Sequence, residues 1–364
     1  MFVAVHRFIS LLRKRLPRRR FRLALALAAA QFATGALASG LTVLMGDELA
    51  AHAEFVQHLR AAQEPGGRFE LVRLAPGAAD AAQAAPVAEA AGAEPERAAN
   101  AGVRTRSLRT AATAATPADG IFVTMAVGER AARAALERPG QQPLVLAMLS
   151  RLDYENLRAS SPALQRGQRR VGVLLRDPAM ADQLALVGAV LPQKQRIGVV
   201  ATPESEPLVR ELQRAAQGTQ PPWDLQVEYA PDARSLAAAL RAVVPRSDAL
   251  MVLPDLIGDS QAATLSVLRA GAGAGLPVFG ASEGLVRSGG LAAAVSTPAQ
   301  LARQAQLLGQ KLASSGNGSS SSGTGPLVES AAPATVRVNT TVARGLGLRL
   351  PEERELTERL TVTR

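Results

Sequence analysis

The sequence predicts an α/β protein of two lobes, each built on a parallel sheet with helices on both faces. Three observations carry this. Short apolar runs alternate with helical patterns along most of the chain. The runs are mostly continuous in their apolar character, as strands buried on both faces of a parallel sheet are. They number about ten, and two Rossmann-like lobes accommodate them more naturally than one sheet.

Each element follows from its residues. Leu41–Met45 is a buried strand, and residues 48–63 form an amphipathic helix with Leu49, Phe55, Val56 and Leu59 near one face. Residues 69–75 alternate and form a second strand. Residues 76–118 are dominated by Ala, with no regular spacing of large apolar side chains. Such a segment cannot bury enough surface to offset its chain entropy, which predicts a disordered or loosely helical insertion. Order returns with a strand over 120–128, a helix over 129–137 and a strand over 143–149. A polar loop leads to a strand over 170–175 and a helix over 178–192 closed by Pro192. Further strands fall at 196–202, 224–230, 248–254 and 276–281, and further helices at 204–218, 233–244 and 260–275. A Gly/Ser-rich loop over 314–325 follows. Chain order resumes over 333–351, and the charged end has some helical character.

Composition narrows the function. Hydrophobic residues are 47% of the chain and aromatic residues 3%, so the core is aliphatic. The net charge of +10 suggests nucleic acid, but eight basic residues and no acidic ones lie in residues 1–38. Beyond them, 33 basic residues face 31 acidic ones, with no basic stripe interleaved with aromatics, which argues against nucleic-acid binding. The basic start precedes an apolar run, Leu23–Ala38, that ends in Ala36-Leu37-Ala38. This order reads as a secretory signal peptide over residues 1–38. An uncleaved anchor is the alternative; a run shorter than the about 20 residues of a bilayer span favours cleavage. The chain has no cysteine and three histidines, His6, His52 and His58, which leaves no disulfide, no thiolate site and no predicted metal or cofactor.

Gly280-Ala281-Ser282-Glu283-Gly284 matches the G-x-S-x-G of a nucleophile elbow, in a strand–turn–helix context. No histidine follows His58, and Lys194 and Lys311 lie away from strand ends, so Ser282 lacks a base and no enzymatic activity is predicted. Gly271–Gly275 closes a helix and is a C-cap rather than a phosphate loop. Asp259 reads as a helix N-cap, whereas Asp255 directly follows a buried strand, where open α/β sheets place ligands.

Taken in order, "FVTMAVGERAARAAL" (122–136), "PLVLAML" (143–149), "LVGAVLPQKQRIGVVATPES" (186–205), "DALMVLPD" (248–255), "LPVFGASEGLVRSGGLAAAVSTPAQLARQAQLLGQKL" (276–312) and "VRVNTTVARGLGLRLP" (336–351) resemble the ABC-transporter substrate-binding proteins with a type I periplasmic-binding fold, in the group that includes tryptophan-binding members. The resemblance covers about residues 120–351. It implies two lobes joined by three crossovers, with a small solute bound between them. It implies a first lobe of 39–150 plus 284–316 and a second of 151–283 plus 325–351. The Gly/Ser loop at 317–324 and a charged tail at 352–364 lie outside both. By position, the ligand would meet Gly46, Asp47 and Glu48 after the first strand, then Ala126, Val127 and Gly128, then Ser150, Asp153 and Tyr154 at a crossover, and Asp255, Ser282 and Glu283 in the second lobe. Helix-start N–H groups suit a carboxylate and Asp255 suits an ammonium, so the implied ligand is an amino acid or related small zwitterion or anion. The implied partner is an ABC permease in the inner membrane. The alternative is a periplasmic sensor or accessory module with a decayed cleft, acting with a membrane receptor or kinase.

Overall fold

The computed structural model describes residues 40–63, 67–75, 122–167, 169–314, 325–332 and 335–362. The expected signal peptide, the 76–118 insertion and the 317–324 loop lie outside the described residues.

Among the described residues, two six-stranded sheets organise the fold. The first has the order β11-β5-β4-β3-β1-β2, formed by β1 (Gly40–Met45), β2 (Arg68–Arg73), β3 (Phe122–Val127), β4 (Leu144–Leu149), β5 (Val171–Pro178) and β11 (Leu327–Ala331). All its pairings are parallel. The second has the order β12-β10-β9-β8-β6-β7, formed by β6 (Arg196–Ala201), β7 (Asp224–Tyr229), β8 (Ala249–Val252), β9 (Val278–Gly280), β10 (Ala292–Val295) and β12 (Thr335–Val338). Only β12 runs antiparallel to its neighbour, β10. The two orders correspond strand for strand, so the loop after β1 matches that after β6, β3 matches β8, and β4 matches β9.

The pleat explains the continuous apolar runs. Val43 and Met45 of β1, Met125 and Val127 of β3, and Val145 and Ala147 of β4 point to one face of the first sheet. There they meet α1 (Ala50–Ala61) and α11 (Pro298–Ser314), through Phe55, Leu59, Leu301 and Leu308. Leu44, Ala126, Leu144 and Leu146 point to the other face. They meet α2 (Glu129–Glu137), α3 (Arg151–Ser160) and α4 (Pro162–Arg166). Both faces are covered, so both residue parities must be apolar. Each fully buried side chain of this size contributes about 1.5–3 kcal/mol.

The second sheet repeats the arrangement. One face packs α5 (Met180–Val190) and α6 (Glu206–Gln217), with α12 (Thr340–Gly345) and α13 (Glu353–Val362). The other packs α7 (Ala233–Val243), α8 (Leu256–Asp259), α9 (Gln261–Ala274) and α10 (Glu283–Arg287). Gly275, at φ +67°, closes α9 in the left-handed conformation, as a C-cap does.

The lobe boundaries differ from those the resemblance implied. The chain crosses from the first sheet to the second after Pro178, not at 150; β5 belongs to the first sheet. It returns after Val295, so β10 belongs to the second sheet, and crosses again between Ala331 in the first sheet and Thr335 in the second. A buried apolar run reports burial on two faces but not which sheet supplies its neighbours. The polar loop expected before β5 contains α3 and α4. The expected charged tail is a docked helix, because Leu356 and Leu360, one turn apart, are buried in the second core. Among the described residues, no helix is long and apolar enough to cross a membrane.

Candidate ligand-binding cleft

Two of the crossings leave the carboxyl ends of β5 and β10, and the third leaves the carboxyl end of β11. The carboxyl edges of the two sheets therefore face each other, and the loops after β1, β3, β4, β6, β8 and β9 border the space between lobes. This is where open α/β sheets place ligands.

On the first lobe, the Gly46 carbonyl accepts a hydrogen bond from Arg130 Nη1 at 2.8 Å. A Cβ on Gly46 would stand 2.8 Å from the backbone nitrogen of Ala131. Asp47 turns back into its own lobe, where its Oδ1 lies 2.6 Å from Nδ1 of the buried His52 and accepts from the Leu49 N–H at 3.3 Å. Glu48 is exposed and pairs with Arg73 at 2.8 Å. Ala126 and Val127 are wholly buried in the core on opposite faces of the sheet. Gly128 then takes φ +81°, and a Cβ there would meet His52 Cε1 at 2.8 Å. The helix it opens, α2, has no side-chain cap, so its first-turn N–H groups lack the partner that a side-chain cap supplies.

Ser150 and Asp153 form a capping box on α3. Ser150 Oγ accepts from the Asp153 N–H at 3.0 Å, and Asp153 Oδ2 accepts from the Ser150 N–H at 2.9 Å. Tyr154 is buried in the first-lobe core against the sheet, and burial raises its phenol. Phe279 of β9 is likewise buried, in the second-lobe core. The inward helical face claims Tyr154, since Leu157 shares that face.

On the second lobe, Asp255 caps α8. It is 1% exposed. Its Oδ1 accepts from the N–H groups of Ile257 and Gly258 at 2.9 and 3.1 Å, and its Oδ2 accepts from Ser205 Oγ at 2.5 Å. Ser205 in turn lies 2.8 Å from Thr202 Oγ1, so the loops after β6 and β8 are tied together. Burial raises the Asp255 carboxyl, against these hydrogen bonds. Ser282 is exposed and caps α10, accepting from the Leu285 N–H at 3.1 Å. Glu283 is exposed beside Arg287 and Arg337. Asp259 ends α8, and Ser260, not Asp259, caps α9.

The positions named from sequence thus lie at the expected strand ends, but Asp47, Ser150, Asp153, Asp255 and Ser282 hold local structure. Of the polar groups that span the lobes, the sequence points only to Asp259, and to it as a helix cap. Arg151 of α3 donates to Glu211 Oε2 of α6, and Arg176 of β5 stands 3.9 Å from Asp259 of α8. Gln300 Nε2 of α11 donates to Thr335 Oγ1 at 3.0 Å across the third crossing. Asp177 and Ser296, at the first two crossings, each bury a side-chain oxygen that has no hydrogen-bond partner among the described residues. The one signal in the sequence that could have found them is an acidic or hydroxyl residue directly ending a buried strand. An apolar cavity of about 170 Å³ lies at the opposite end of the first sheet, bordered by Gly40, Leu41, Val123, Met125 and Gly309, remote from these loops.

The model of one family, "ABC transporter substrate binding protein", matches residues 163–354, more than half of the chain. The chain belongs to the ABC transporter substrate-binding protein family.

For this substrate-binding protein, comparison with curated proteins yields no match. Among solved structures it is similar to the ligand-free, open structure of a substrate-binding protein with adhesive properties from Clostridium difficile. The identity is 14%, covering 86% of this chain and 96% of that one, with a TM-score of 0.57. A second similar structure, from Streptococcus pneumonia, is described as an ABC domain in complex with L-Trp. It is 14% identical over 88% of this chain and 98% of that one, with a TM-score of 0.48. The first of these supports the fold: two α/β lobes of the type I periplasmic-binding kind.

Proposed function

We propose that this protein is a periplasmic solute-binding component that hands a small amino-acid-like ligand to an ABC permease. The observation that carries the reading is the pairing of the family match with two lobes whose strand ends face one space. A solute held between them reports its presence by drawing the lobes together. The uncapped first turn of α2 suits a ligand carboxylate, since its N–H groups and the helix dipole both favour negative charge. The basic and apolar leader in the sequence supports export. The Ser282 hydroxyl serves as a helix cap, so the G-x-S-x-G match carries no nucleophile role in this reading.

A thermal-shift screen of the full chain against amino acids, short peptides and small organic anions tests the proposal. A true ligand at 100 times its Kd stabilises by about 2.7 kcal/mol. A chain that shifts with none of them does not bind solutes of this kind, and the sensor or accessory reading then takes its place.

A further inference from the structure

We infer that Asp177, with Ser296 at the neighbouring crossing, receives the cationic amine of the ligand at the floor of the cleft. The inference rests on the solute-binding reading above and adds the chemistry of one end of the ligand.

Position comes first. Asp177 is the last residue but one of β5, just before the first crossing. Ser296 directly follows β10, at the second crossing. Strands β5 and β10 are in contact. The carboxylate of Asp177 lies within electrostatic reach of Asp153 in the first lobe and of Asp259 and Glu211 in the second. It therefore sits between the loops of both lobes, where a ligand would touch the two at once.

Satisfaction comes second. Asp177 Oδ2 and Ser296 Oγ are buried oxygens without a hydrogen-bond partner among the described residues. Such groups cost free energy in a folded chain, and a ligand that supplies the missing donor recovers it. Asp255, the acidic residue first matched to an ammonium, has no such vacancy: two N–H groups and one hydroxyl already occupy its oxygens.

Charge comes third. The Arg176 Nε stands 3.7 Å from Asp177 Oδ2, and its Nη2 stands 3.9 Å from Asp259, so one guanidinium is divided between two carboxylates. Arg151 is engaged by Glu211. Asp153, Asp177, Glu211 and Asp259 thus face Arg151 and Arg176, and the balance is negative. A cation is favoured there and an anion is not. Burial pushes the Asp177 carboxyl up to about 6, against the pull of Arg176. An ammonium hydrogen-bonded to it would reverse that rise. Ser296 Oγ can accept an N–H of the ligand.

Isothermal titration calorimetry of the full chain with free L-amino acids and their N-acetyl forms tests this. In the expected result a free amino acid binds, and its N-acetyl form binds at least about 10-fold more weakly, as does the free form to Asp177→Asn. Ser296→Ala is expected to weaken binding by about 3-fold. Equal affinity of Asp177→Asn and the natural chain overturns the inference and leaves solute binding intact. So does a ligand that carries no amine. Failure of every solute to bind the natural chain overturns the solute-binding reading itself. A measurement without ligand guards against a folding artefact. Asp177→Asn should melt at the same temperature as the natural chain or higher at pH 7.5, because it removes a desolvated charge. A markedly lower melting temperature makes Asp177 a structural group and overturns the inference.

Discussion

Arg151 and Glu211 join the two lobes through two hydrogen bonds on one carboxylate oxygen. Arg151 Nε and Nη2 lie 3.0 and 2.7 Å from Glu211 Oε2, while Oε1 accepts from the Met180 N–H at 3.2 Å. Met180 opens α5, directly after the first crossing, so the pair fixes the chain where it enters the second lobe. The side chains are 21% and 17% exposed, which shields the pair from most solvent screening. Removing one partner strands the other charge. Arg151→Met or Glu211→Gln alone is expected to cost about 2 kcal/mol in urea unfolding. The double variant should cost less than the sum of the two, with a coupling of about 1 kcal/mol. Additive costs would show that the pair does no joint work.

Asp255 illustrates how a structural role differs from a binding role. Asp255→Ala removes a helix cap and leaves the buried Ser205 hydroxyl without its acceptor. The expected loss is about 2–3 kcal/mol of stability, read by denaturant unfolding. Ligand affinity of the folded fraction should stay within about 3-fold, because both Asp255 oxygens already accept hydrogen bonds within the lobe. A large affinity loss with unchanged stability would return Asp255 to the binding site.

The Asp177 carboxyl, raised by burial, gives stability a defined pH dependence. Between the unfolded carboxyl range near 4 and the folded value near 6, the folded chain holds more protons than the unfolded one. Stability from this group therefore falls as pH rises through that window. The side chain is 18% exposed and keeps Arg176 nearby, so the expected change is about 2 kcal/mol. Unfolding followed from pH 4 to pH 7 should show the decline in the natural chain and a smaller one in Asp177→Asn. Parallel curves would mean that the group titrates normally.

Gly128 cannot be replaced cheaply. Its backbone, at φ +81° and ψ 165°, lies in a region that essentially only glycine occupies. A Cβ there also stands 2.8 Å from His52 Cε1 and 3.0 Å from Asp47 Oδ2. Gly128→Ala is expected to cost about 2–3 kcal/mol and to lower the melting temperature by several degrees. An unchanged melting temperature would show that the turn after β3 relaxes freely.

Much of this architecture was readable from residues alone. Alternation of apolar runs with amphipathic stretches determined the α/β class. Within two residues it also located most helices from α2 to α9, because 3.6-residue periodicity and caps such as Gly275 are local signals. Leu356 and Leu360 carried the same local signal for α13 but were masked by their charged neighbours. Strand ends also located loops at the carboxyl edges of both sheets. Only the tertiary structure decided the rest. Sheet membership of β5, β10 and β11 depends on which strands they meet in the fold, and β11 returns to β5 only after the chain has traversed the second sheet. Whether a carboxylate has spare acceptor capacity depends on which donors surround it. Asp255 and Asp177 both end buried strands, yet Ser205, Ile257 and Gly258 engage both oxygens of the first, and among the described residues no hydrogen-bond donor meets Oδ2 of the second.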